Sequence, residues 1–151
     1  MKTLALASLL LASPAAAGLN LSPDLSASAP AGWRQSLEGP FSLFLPRDVR
    51  RVGPKLFDSI AGRFSGENLR IEYDYGYYVP DCPDGDPARI GERPVDIVRT
   101  ATARGAVRVT ACFAAPRRGA KRLTIRAESD DQAAADDAMT ALRTIRFAKQ
   151  P

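Results

Sequence analysis

The chain has 151 residues, 45% of them hydrophobic and 25% charged, with 21 Lys and Arg against 17 Asp and Glu, two Cys and no His. That length suits one domain that buries its own core without metal or many staples. The small positive excess is carried mostly by Arg dispersed among acids, which is weak evidence for a basic phosphate track, so no nucleic-acid partner is expected.

Met1-Lys2-Thr3 is a short cationic start, Leu4 to Leu11 is an apolar run interrupted only by Ala and Ser, and Ser13-Pro14-Ala15-Ala16-Ala17 is a break followed by small residues. This is the three-part layout of a secretory signal peptide, with cleavage after Ala17 and a mature chain from Gly18. A bilayer crossing needs about 20 apolar residues, more than this run supplies. No Cys follows the run and no second apolar stretch of spanning length occurs, so neither a lipid anchor here nor a transmembrane span in the mature chain is expected. The expected organisation is residues 1–17 as signal peptide, 18–31 as a flexible leader rich in Pro, Ser and Ala, and 32–148 as a single domain. The expected location is periplasmic or secreted. In such a compartment Cys82 and Cys112 are expected to form a disulfide. A redox or metal site is disfavoured, because C-x-x-C spacing and His are both missing.

In chain order, Trp33 to Leu37 and Phe41 to Leu45 alternate on either side of Glu38-Gly39-Pro40 and predict a β-hairpin. Residues 47–58, rich in Arg, Gly and Pro, predict mostly loop. Ile60, Gly62 and Phe64 alternate with Ala61, Arg63 and Ser65 as a strand, and Ser65-Gly66-Glu67-Asn68 turns the chain into the clearest strand of all. There Leu69, Ile71, Tyr73 and Tyr75 face one way and Arg70, Glu72 and Asp74 the other. Residues 76–91 hold too much Gly and Pro for an element interior and predict a long loop containing Cys82. Pro94 to Ala101 fits a strand or a short helix, and its β-branched residues favour the strand. Val107, Val109, Ala111 and Phe113 then share one strand face, with Arg108, Thr110 and Cys112 on the other. After a Pro116-Arg117-Arg118-Gly119 turn, Leu123, Ile125 and Ala127 oppose Arg122, Thr124 and Arg126. Ser129 and Gln132 have capping-box spacing, and Ala135, Ala138, Met139, Leu142 and Ile145 recur at helical spacing. Strands followed by one terminal helix predict an α+β fold, a mainly antiparallel twisted sheet with the helix packed on one face.

Cys112 shares the polar strand face with Arg108, so a bond to Cys82 draws the 76–91 loop across that face. The face is then a solvated lattice of opposite charges or the floor of a groove walled by the loop. Tyr75, Tyr77 and Tyr78 form the core of the densest aromatic cluster and, with Arg108, are the candidate binding residues, because Tyr offers a large contact area with a polar tip. Asp81, Asp84 and Asp86 lack the spacing of an EF-hand loop, so no metal is expected. Glu72 and Asp74 share a strand face as a glycosidase pair does, but Arg70 is expected to neutralise them in an ion-pair row. Nucleotide-cradling Gly patterns and G-x-S-x-G are missing, and no cofactor is expected.

Phe41-Ser42-Leu43-Phe44-Leu45-Pro46 near the start and Ala138-Met139-Thr140-Ala141-Leu142-Arg143-Thr144-Ile145-Arg146-Phe147 near the end resemble the small exported bacterial proteins related to the PsbP-like fold. That group opens on an F-S-hydrophobic strand ending in Pro and closes on a helix with a Leu-x-x-Ile-x-Phe tail. Asp58-Ser59-Ile60-Ala61-Gly62 and Tyr73-Asp74-Tyr75-Gly76 also resemble motifs of uncharacterised exported bacterial proteins. The likeness covers about residues 33–147 and implies a twisted antiparallel sheet flanked by helices, in a non-enzymatic accessory or binding role. The motifs are structural, so no functional residue carries over. This chain departs from the pattern in its Cys pair and in its few helical signals before the last element. The expectation is an exported non-catalytic binding or accessory domain of the bacterial envelope, meeting a protein or envelope ligand. The alternative is a small envelope hydrolase using Glu72 and Asp74.

Overall fold

Most of the architecture follows from the period-two alternation. The computed structural model describes residues 22–53, 60–77, 82, 84–103 and 105–148. Among these residues the strands are β1 (Arg34–Leu37), β2 (Phe41–Leu45), β3 (Arg50–Val52), β4 (Ile60–Ser65), β5 (Leu69–Gly76), β6 (Asp86–Ile90), β7 (Arg93–Ala101), β8 (Val107–Phe113), β9 (Arg122–Ser129) and β10 (Arg146–Phe147), with one helix, α1 (Gln132–Arg143), before β10. A seven-stranded sheet runs in the order β3-β4-β5-β9-β8-β7-β6, and a three-stranded sheet runs β1-β2-β10. The strand pairs are all antiparallel.

Leu69, Ile71, Tyr73 and Tyr75 of β5, Val109, Ala111 and Phe113 of β8, and Leu123, Ile125 and Ala127 of β9 are buried on one face of the large sheet. Helix α1 lies on that face, against β8 and β9. Its contact stripe is mostly alanine, with Ala135, Ala138, Ala141 and Leu142 fully buried, so the backbone approaches the sheet closely. The small sheet completes the second layer. Its Phe41 meets Tyr73 edge-on at 5.1 Å, and Phe147 meets Phe113 at 5.2 Å. Thr144 joins the pieces: its hydroxyl donates to Ala141 O at 2.7 Å and accepts from Phe44 N at 2.9 Å. The fold is α+β, a mainly antiparallel sheet with the C-terminal helix packed on it.

Several elements depart from the sequence expectations. Asp131, not Ser129, caps α1, accepting from Ala134 N at 2.8 Å. Ser129 is instead the buried end of β9 and donates to Val107 O at 2.9 Å. Gln132, the other half of the expected box, reaches forward to Asp136. β3 lies in the segment expected to be mostly loop, too short to show alternation. β10, a two-residue strand, pairs with β2 where the helical spacing predicts only the tail of a helix. β6 lies inside the expected 76–91 loop, and Pro87 is tolerated there because β6 is an edge strand. Arg89 N donates outward to Pro23 O at 2.8 Å and Arg89 O accepts from Leu25 N at 2.7 Å. Pro87 shares that outward register and has no N–H to leave unpaired.

Within the expected leader, residues 23–27 are bonded to the domain: Leu25 packs against the core, Ala27 N donates to Arg143 O at 3.0 Å, and Arg146 donates to Ala27 O at 3.0 Å. The Asp24 carboxylate accepts from the hydroxyl and the backbone N–H of Ser26, which hold its pKa below the usual carboxylate value. Residues 1–17 lie outside the described residues.

Candidate functional site

β5 lies inside the large sheet and β6 at its edge, with β9, β8 and β7 between them. Two residues that precede β6 are fixed against these strands. Cys82 is disulfide-bonded to Cys112 of β8, with a Cα–Cα distance of 6.1 Å. Cys112 is level with Asp96 of β7 and Thr124 of β9 on the face opposite the helix. Further on, Gly85 lies so close to β7 that a Cβ would stand 2.9 Å from Ile97 O, which excludes a side chain. Cys82 is therefore held over the polar face, as the Cys pairing implied. Closing a loop of separation 30 stabilises the fold by about 3–4 kcal/mol on the chain-entropy account.

Where the connection is stapled, a hollow of about 500 Å³ opens at the end of β8 and β9. Asp96, Arg122 and Thr124 supply its polar groups, and the disulfide, Phe113, Ala114 and Ala115 its apolar ones. At the same end of the sheet, Lys121 holds its ammonium 5.9 Å from the ring centre of Tyr75 and 5.4 Å from that of Tyr77. A cation over aromatic faces gains roughly 0.5–1 kcal/mol at an exposed site. Tyr75 is buried whereas Tyr77 is 59% exposed, so one ring anchors the lysine and the other presents a free surface. Gly76 is level with Arg122, so Lys121 and Tyr77 follow directly from the register of β5 with β9.

Of the candidate binding residues, Tyr75 and Tyr77 come together here and Tyr78 lies outside the described residues. Arg108 does not join them. It is level with Glu128 and Arg70, seven residues along β5 from Tyr77, or roughly 24 Å at the rise of a strand. Its guanidinium is engaged by Glu128 at 2.6 and 3.1 Å. Lys121 was missed as a site residue because only the β5–β9 pairing brings it beside the tyrosines, and Asp96, Arg122 and Thr124 because they gather around Cys112 only through the pairing of β7, β8 and β9. Local alternation carries no signal of that pairing.

The rest of the polar face is a row of exposed ion pairs. Arg63 binds Glu72 at 2.8 Å and Arg70 approaches Asp130 at 3.8 Å. Glu72 is thus neutralised by Arg63, its direct cross-strand partner, and not by Arg70. Neither Glu72 nor Asp74 lines the hollow.

A second polar cluster is enclosed between the two sheets. Glu38, at the β1–β2 turn, is 1% exposed; it is ion-paired with Arg51 of β3 and accepts from the Tyr73 hydroxyl and, at 2.6 Å, from Ser36. The Arg51 guanidinium donates to the Tyr73 hydroxyl at 3.0 Å and lies 5.1 Å from the Phe64 ring centre. This cluster ties the small sheet to the large one.

A solved structure from Bacteroides thetaiotaomicron VPI-5482 is similar to this chain at a TM-score of 0.52 and 12% identity, covering 78% of this chain and 48% of that one. The likeness is one of fold, and the chain spans about half the length of the protein it matches. No protein-family model and no curated protein matches the sequence. Among the described residues no helix is long and apolar enough to cross a membrane.

Proposed function

We propose that the chain is an exported, non-catalytic binding or accessory domain of the bacterial envelope, and that it meets its ligand at the stapled end of the large sheet. The observation that carries this reading is the combination, at one end of the fold, of the Cys82–Cys112 disulfide, an open hollow and an exposed Tyr77 ring propped by Lys121. An ordered surface with a large amphipathic ring binds with little loss of conformational freedom. The signal-peptide layout, the paired cysteines and the resemblance to exported proteins of the PsbP-like fold support export. The engagement of Glu72 by Arg63, on an exposed strand away from the hollow, favours the binding reading over hydrolysis by Glu72 and Asp74.

The test is site-specific photo-crosslinking in intact cells, with the crosslinking residue placed at Tyr77 or at Arg63 of the ion-paired face. Crosslinks to an envelope component are expected from position 77 and not from position 63. Crosslinks from position 63 alone, or equally from both, would contradict the assignment of the surface.

A further inference from the structure

Charge is compensated differently in two parts of the molecule. On the polar sheet face, Arg63, Arg70 and Arg108 each face a carboxylate within 4 Å. The hairpin between β8 and β9 reads Ala114-Ala115-Pro116-Arg117-Arg118-Gly119-Ala120-Lys121, with three cations and no acid. Arg117 and Arg118 are exposed, and neither is ion-paired among the described residues. Lys121 rests on the tyrosine rings and not on a carboxylate. Gly119, at φ +75°, and the bond from Ala120 N to Arg117 O at 3.1 Å fold the hairpin into a defined tip beyond the sheet end. Tyr77, beside the root of this tip, is the large apolar residue exposed there; the others exposed among the described residues, Leu37 and Val52, lie in the β1 and β3 strands.

A tip of this kind lacks the apolar centre that protein interfaces build around, and its exposed arginines line no part of the hollow at this end, where a pocket for one small anion would place them. Exposed cations flanked by an amphipathic ring match a planar anionic surface, with Arg and Lys among the headgroups and Tyr at the interface. We infer that the β8–β9 hairpin docks the protein onto a bilayer surface rich in anionic phospholipid, through Arg117, Arg118 and Lys121 with Tyr77 at the edge of the contact. This inference rests on the stapled end being the binding surface and names its ligand class.

The test is co-sedimentation of the protein, recovered from the envelope fraction of cells expressing the full chain, with phosphatidylglycerol–phosphatidylcholine vesicles and with pure phosphatidylcholine vesicles. Each basic residue near an anionic surface contributes roughly fivefold, so Arg117→Ser with Arg118→Ser should weaken binding to the anionic vesicles by roughly thirtyfold. Arg63→Ser with Arg70→Ser removes the same charge from the ion-paired face and should leave binding nearly unchanged. Arg117→Lys with Arg118→Lys should retain binding, and high salt should abolish it in every case. Equal loss from the two serine variants, retention by the tip variant, or no preference for anionic over neutral vesicles would overturn the inference. Vesicle failure alongside crosslinks from position 77 to an envelope protein would overturn it while leaving the binding domain standing, whereas vesicle binding through the tip without those crosslinks would identify the lipid surface as the ligand itself.

Discussion

Glu38 occupies a turn whose residues, Glu-Gly-Pro, read as solvent-facing, yet its carboxylate is enclosed with Arg51, Tyr73 and Ser36. The Arg51 side chain keeps 29% of its surface in solvent, so the pair is only partly desolvated. Removing one partner of a buried pair costs about 3–5 kcal/mol because the other charge is stranded, and the partial exposure of Arg51 puts this pair at the low end. Glu38→Gln is therefore expected to lose about 3 kcal/mol in urea unfolding, whereas a loss under about 1 kcal/mol would mean that the cluster is solvated. Tyr73 is held from the other side by Gly62, where an added Cβ would stand 2.5 Å from the Tyr73 hydroxyl oxygen. The alternation in β5 placed Tyr73 in the core correctly. It carried no sign of the polar ring around its hydroxyl, because three of the four members come from separate strands or turns.

At the scale of elements, strands with strict alternation were legible and elements defined by tertiary context were not. β4, β5, β8, β9 and the β1–β2 hairpin follow the pattern of their residues, and β7 settles as a strand once β6 and β8 flank it. β6 was hidden by Pro87, which is excluded from central strands but not from an edge, and the edge position depends on topology. Gly91 at φ +62° starts the tight two-residue loop from β6 into β7. The helix start was misread by two residues because Ser129 and Asp131 both suit a cap, and the pairing of Ser129 with Leu69 and Val107 extends β9 through it. Asp131→Ala is expected to cost about 1 kcal/mol of stability and Asp131→Asn little, since Asn caps as well as Asp. Thermal unfolding checks this; an Asp131→Ala variant as stable as the parent would return the cap to another residue.

Across the whole molecule, one non-local event organises the candidate site: β9 returns to pair with β5 after the chain has gone out to β6 and back. That return sets Lys121 against Tyr75 and Tyr77, and Cys82 is stapled to Cys112 on the polar face. The Cys pair was legible from its count and the export layout, and the face it staples from the parity of Cys112. Arg108 lies apart from the tyrosines, because parity gives the face of a strand and not the distance along it. The account as a whole depends on the chain working in an oxidising compartment with this staple closed. Intact-mass determination on protein recovered from the envelope fraction, before and after reduction, tests that most directly. The predicted mass begins at Gly18 and is lighter by the two thiol hydrogens until reductant is added; a mass starting at Met1, or free thiols at Cys82 and Cys112, would contradict it.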